Sequence, residues 1–247
     1  MQTNNTLDTP YNSPTYPGWS WRDVAAALLF ALVGSIALLV LASFIAPLFG
    51  LTDSEGLASP IAFTFGAGIY LMLILGVYLF AARRMGWQAL GLVGTDASNY
   101  WLVLPLFLLG IGGLLAANSA ILFLTGSFDN PQVDAITGGG ELSTRDFLLL
   151  FVLVALLAPF AEELFFRGML YPLLRNGRAA WLAIGLNALL FALVHFIPLL
   201  IPGLFIVGLL LAYLRERSAS IWPSVCFHVL QNSLALTAIY AALQLES

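Results

Sequence analysis

An all-α bundle of about seven membrane-spanning helices, forming one membrane domain, is the architecture that three features of this chain predict. Hydrophobic residues make up 60% of the 247 and charged residues only 9%, against roughly 25% charged in an ordinary soluble domain, so water is not the chain's main solvent. The apolar residues gather into runs at 24–50, 61–82, 101–124, 147–174, 179–196, 203–214 and 221–243, most of them near the roughly 20 residues that a spanning helix needs. Arginines fall at alternate ends of these runs. Arg22, Arg83 with Arg84, Arg175 with Arg178, and Arg215 with Arg217 share one side, while Arg145 stands on the other with Asp53, Glu55, Asp129, Asp134 and Glu141. The positive-inside rule then puts the N-terminus in the cytoplasm and the C-terminus outside.

Residues 1–20 carry Asn, Thr, Pro and Tyr with a single charge, Asp8, and no periodicity, which predicts a disordered tail ahead of a single transmembrane domain over 21–247. That tail lacks the basic n-region of a signal peptide, and the first run is too long for a signal h-region, so it is expected to persist as a spanning helix. Gly66, Gly68, Gly110, Gly112 and Gly113, in the second and third runs, read as close-packing sites. The acidic stretch 126–141, with its Gly138-Gly139-Gly140 run, reads as a solvated linker without a phosphate-binding pattern. Ser143, followed three residues later by Asp146, predicts the N-cap of the fourth helix. Pro159 lies inside that helix and should kink it or loosen its backbone.

The sixth run is the shortest and spans only if 198–202 enters the membrane too, a re-entrant segment being the alternative. Pro223 suits the first turn of the last helix. Trp19, Trp21, Trp87, Trp101 and Trp222 mostly flank the runs, as interfacial belts do. Cys226, the sole cysteine, can form no internal disulfide and reads as a buried small hydrophobe. The net charge is −4 and all nine basic residues are arginine, with no basic stripe, which excludes nucleic acid and leaves the lipid bilayer as the chain's general partner.

The organising stretch is Ala161-Glu162-Glu163-Leu164-Phe165-Phe166-Arg167-Gly168, three charges inside an apolar run. Each charge deep in hydrocarbon costs about 2.5–3.5 kcal/mol on insertion scales, which marks the cluster as a functional centre. Both histidines also lie in apolar runs. Glu163 with Arg167, Phe191 with His195, and His228 with Asn232 each have i, i+4 spacing, which puts the two members on one helix face. At 1.5 Å per residue from the nearest arginines, Glu162 lies about 20 Å deep, His228 about 17 Å, Asn232 about 22 Å and His195 about 26 Å, so the four can meet near mid-membrane. A carboxylate withdrawn from water is a stronger base, and imidazole and carboxamide can donate to a developing oxyanion, which makes Glu162, His195, His228 and Asn232 sufficient for hydrolysis by activated water. The same residues also fit an ion-paired kink with interhelical hydrogen bonds. A non-enzymatic immunity or scaffold protein, or a proton-coupled transporter, is therefore the alternative reading.

Glu-Glu-x-x-x-Arg, Phe-x-x-x-His and His-x-x-x-Asn, each on its own late run and in this order, resemble the CPBP family of CAAX proteases and bacteriocin-processing enzymes, also called Abi. The resemblance covers roughly 147–243 and takes in nothing of the first three runs. It implies an intramembrane endopeptidase acting on a membrane-associated protein or peptide, of which prenylated CAAX C-termini are the namesake substrate, in a multi-pass protein of the bacterial cytoplasmic membrane whose catalytic spans lie in 142–247. It further implies that Glu162 and His195 activate the attacking water, that His228 and Asn232 hold the oxyanion, and that Glu163 and Arg167 form a supporting ion pair. Family members have been described both as metalloenzymes and as metal-free glutamate enzymes. Glu162, His195 and His228 could bind zinc with a position left open for water, although the His-Glu-x-x-His zinc helix is absent.

Overall fold

The computed structural model describes residues 17–50, 56–127, 130–138 and 142–246, and among them every regular element is a helix. Six helices are long and apolar enough to cross a membrane: α1 (Trp21–Phe49), α2 (Pro60–Met85), α3 (Ala97–Thr125), α5 (Thr144–Arg175), α7 (Pro198–Ser218) and α8 (Trp222–Glu246). Two are shorter, α4 (Pro131–Thr137) and the apolar α6 (Ala180–Leu193). Residues 1–16 of the expected tail, Asp53, Glu55, Asp129 and Glu141, and Gly139 with Gly140 lie outside the described residues.

The seven expected spans are thus six long helices and one short one, and the short one is not the helix that hydropathy pointed to. α7 begins with Pro198 and Pro202 in its first turns, where a missing N–H costs nothing, and runs on through Arg215 and Arg217. Its span is therefore longer than the apolar run 203–214. α6 stops at Leu193 after about 21 Å. Pro198 holds Ile197 extended at φ −117° and ψ 95°, and Phe196 turns left-handed at φ 54°. The two helices make a hairpin whose turn carries His195.

The arginine-bearing ends gather at one end of the bundle, as their alternation predicted. Ser20 caps α1 in a reciprocal box with Asp23, and Asp23 pairs with Arg84 at 2.7 Å, which joins the start of α1 to the end of α2. Arg175 pairs with Glu216 at 3.1 Å, which joins the ends of α5 and α7. Trp19 ties the two groups together. It is neither tail nor interfacial belt: its ring is 1% exposed, and its indole N–H donates to the Met169 carbonyl at 2.8 Å.

Three smaller expectations are also corrected. A Cβ on Gly110 or Gly113 would crowd a neighbouring helix, but one on Gly112 would meet open space, so Gly112 is not a packing site. Cys226 is exposed, because Val225 and Phe227 take the inward face of α8. The stretch 126–141 is more than linker, since Asn130 caps α4, and Gln132 and Ile136 of that helix line the central cavity.

α5 is where sequence and backbone meet most closely. Ser143 caps it through Asp146 N–H at 3.1 Å, as expected. Further on it widens into π-helical turns at Phe151–Leu157 and Leu164–Leu170, each ending two residues before a proline, Pro159 or Pro172. In the π register Ala158 N–H donates to Leu153 O and Tyr171 N–H to Phe166 O. The next donors in line would be the prolines, which have none, so the carbonyls of Val154 and Arg167 lose their partners. Other helices supply replacements. Asn232 Nδ2 donates to Val154 O at 2.9 Å and Arg215 Nε to Arg167 O at 3.0 Å. The loosening expected at Pro159 is therefore a change of register that exposes backbone acceptors to α7 and α8.

Candidate active site

The segment between the two π-helical turns, Ala158–Glu163, ends on both glutamates, and their surroundings differ. Glu163 is fully buried, and its Oε1 accepts from Arg167 Nη1 at 2.9 Å and from His228 Nδ1 at 2.9 Å. Arg167 is equally buried. It donates through Nη2 to Gly208 O at 3.1 Å and lies with Cζ 4.6 Å from the centre of the Phe191 ring. Glycine at 208 permits this approach, because a Cβ there would lie 2.9 Å from Ala188 Cα. The supporting pair of the sequence reading is therefore a triad, with the His228 ring as its third member.

That third contact fixes a tautomer. Glu163 can only accept, so the His228 proton sits on Nδ1 and Nε2 is turned outward, as in carboxylate–histidine pairs generally. His228 Nε2 lies 3.9 Å from Glu162 Oε2, too long for a direct hydrogen bond. Glu162 Oε2 is buried without a hydrogen-bond partner among the described residues. His195 follows the same rule in the α6–α7 turn, where its Nδ1 donates to the Phe191 carbonyl at 2.8 Å and Nε2 stays free to accept. Phe191 stands between the two imidazoles in edge-on contact with both, at centroid distances of 5.0 Å to His195 and 5.7 Å to His228.

Glu162, His195, His228 and Asn232 all line one cavity of about 680 Å³, whose wall is otherwise largely apolar. The structure brings His228 to both glutamates, holds His195 beside it through Phe191, and anchors Asn232 by one amide hydrogen to Val154. Glu162, His195 and His228, the possible zinc ligands of the sequence reading, keep Oε2 and the two Nε2 atoms free of hydrogen bonds among the described residues, but no three of His, Cys, Asp and Glu among those residues are grouped as a ligand set, and no step of the mechanism runs through a metal.

Sequence reasoning missed several participants. The Tyr70 hydroxyl, from α2, faces the Glu162 carboxylate in the same cavity. Asn187 is fully buried and donates to Phe166 O at 2.9 Å, and Arg215, 2% exposed, holds Arg167 O. A polar residue in mid-run was the available signal for Asn187. Tyr70 had none, since a tyrosine in an apolar run is unremarkable.

No curated protein and no solved structure matches the chain. A family model does match, over residues 144–234. Those residues run from the first turn of α5 into α8 and include all of Glu162, Glu163, Arg167, His195, His228 and Asn232. The matched model is that of the type II CAAX prenyl endopeptidases, Rce1-like, and the stretch of this chain that is similar to it holds both glutamates, Arg167, both histidines and Asn232.

Proposed function

We propose that the chain is an intramembrane endopeptidase that hydrolyses a peptide bond in a membrane-associated, CAAX-type substrate, with Glu162 as general base. The observation that carries this reading is the buried, unpartnered Glu162 Oε2 facing His228 Nε2 across 3.9 Å on the wall of an apolar cavity. A gap of that length suits one bridging water. Glu162 takes a proton from this water while its oxygen attacks the substrate carbonyl carbon, and His195 Nε2 accepts the water's second hydrogen to aim the lone pair.

Negative charge then develops on the carbonyl oxygen. The second amide hydrogen of Asn232 donates to that oxygen, and His228, its ring held by Glu163, stands beside it as the other half of the oxyanion site. Collapse of the tetrahedral intermediate breaks the C–N bond, and the proton held by Glu162 passes to the leaving amine. Glu163 touches no reacting atom. It fixes the His228 ring while Arg167 balances its charge.

The N-terminus is proposed to face the cytoplasm of a bacterial cell, since four arginine-bearing helix ends gather at that end of the bundle. The test is cleavage of quenched fluorogenic peptides, one of them prenylated, by purified protein in detergent. Glu162→Gln should fold normally and lose at least about 10²-fold in kcat. Equal cleavage by both proteins would refute the mechanism.

A further inference from the structure

The core is distributed unevenly about the glutamates. Between Glu162 and the arginine-bearing ends the bundle is packed solid: Trp19, Leu90, Met169, Tyr171, Leu214 and Ile221 are each at most 1% exposed, and packing of that kind leaves no passage for a water. The backbone is closed there as well. In the second π-helical turn of α5 the carbonyls of Phe166, Arg167 and Met169 receive Asn187, Arg215 and Trp19 at 2.9, 3.0 and 2.8 Å, so side chains from three other segments satisfy them in place of water. Gly168 seats Leu90, whose carbonyl would lie 3.0 Å from a Cβ at 168. Ile221 N–H donates to Gly91 O at 2.9 Å and Ser220 Oγ to Val93 O at 2.7 Å, which fastens the segment 86–96 across this end of the bundle.

On the other side of the glutamates the bundle is hollow. The cavity of about 680 Å³ runs from Phe166 and His228 to Leu57 and α4, and its wall reaches the surface at Ala135 of α4 and at Val194 in the α6–α7 turn. None of residues 86–96, 176–179 and 219–221 lies on that wall. Leu28 of α1 is also an exposed wall residue, but in mid-span it faces hydrocarbon, which supplies no water. Hydrolysis consumes a water at each turnover, and neither water nor a peptide main chain crosses packed apolar side chains. We infer that the site is a one-ended chamber, which water and substrate main chain enter from the end of the bundle that carries α4. With the N-terminus in the cytoplasm that end is extracytoplasmic, so the bond that is cut lies in a peptide segment which a translocation step has already carried across the membrane. That substrate class rests on the peptidase reading, whereas the direction of opening rests on packing alone.

Single cysteines report the opening in full-length protein that carries Cys226→Ser. Ala158→Cys, one helical turn from Glu162 toward α4, and Ile69→Cys, beside Tyr70 on α2, both sit on the cavity wall. Gln88→Cys marks the arginine end and Asp134→Cys the α4 end, at positions that are exposed. Each protein is treated with the membrane-impermeant trimethylammonium-ethyl methanethiosulfonate in right-side-out spheroplasts and in inverted membrane vesicles, and labelling is followed by mass spectrometry. Both chamber cysteines should label from the side that labels Asp134→Cys, at least about tenfold faster than from the side that labels Gln88→Cys, because thiol exchange requires access. Matched melting of each variant excludes misfolding. Chamber labelling from the Gln88→Cys side, equal labelling from both sides, or no labelling of either chamber cysteine would overturn the one-ended chamber. Labelling of Asp134→Cys in inverted vesicles would put the opening in the cytoplasm and overturn the translocated substrate. Cleavage of the fluorogenic peptides by wild type but not by Glu162→Gln is scored separately and decides the peptidase reading.

Discussion

Asn232 donates to the Val154 carbonyl because Pro159 cannot, so removing either one should change what the other contributes. Asn232→Leu leaves a part-buried backbone acceptor without a partner and is expected to destabilise the fold by about 1–2 kcal/mol. Restoring an N–H at position 159 with Pro159→Ala gives that carbonyl a donor within its own helix. In that background the same Asn232→Leu change should cost under about 1 kcal/mol. For a chain of this length each kcal/mol is worth roughly 2–4 °C, so the difference is readable by circular dichroism of the purified protein in detergent. Activity is a separate axis. Loss of the proposed oxyanion donor at Asn232 should lower kcat by about 10²–10³ whether or not position 159 is proline. Equal destabilisation in both backgrounds would refute the orphaned-carbonyl account, and an activity loss that vanishes with Pro159→Ala would reduce Asn232 to a helix tether.

Arg167→Met strips a fully buried carboxylate of its cation and should cost about 3–5 kcal/mol in melting experiments, with Glu163→Gln added to it recovering more than half, because an uncharged pair needs no counter-ion. Gly208→Val drives a methyl into the Ala188 backbone and displaces the carbonyl that receives Arg167, for a loss of about 1–3 kcal/mol by the same assay. Tyr70→Phe removes a hydroxyl facing Glu162 and should lower kcat about three- to tenfold while changing stability by less than about 1 kcal/mol. An unchanged kcat there would show that Glu162 needs no help from α2.

Glu162, Glu163, Arg167, His195, His228 and Asn232 were legible before any coordinates because polar groups in hydrocarbon are rare enough to be informative one by one. Their division of labour was less so. That His228 would sit on the same Oε1 as Arg167 depends on how far α8 rotates toward α5, and i, i+4 spacing within each helix says nothing about rotation between helices. Helix lengths went astray at the α6–α7 turn for a local reason: hydropathy counts apolar residues and is blind to Pro198 acting on Ile197. The π-helical turns of α5 were half visible, since Pro159 announced a disturbance but Pro172 was passed over. Trp19 shows the opposite error, in which composition suggested a loose tail where one indole N–H had a specific acceptor 150 residues away.

The two carbonyls that α5 cannot satisfy alone impose an order on biosynthesis. α5 leaves the ribosome well before Arg215 and Asn232 are made, so for that interval Val154 and Arg167 must keep their acceptors wet or lean on the insertion machinery. A nascent chain halted before residue 215 would hold a complete set of early spans and still be unable to seat its fourth one in lipid. Helices α7 and α8 thus complete the helix that carries the glutamates, and the two carboxylates reach their final depth only once those later helices have been made.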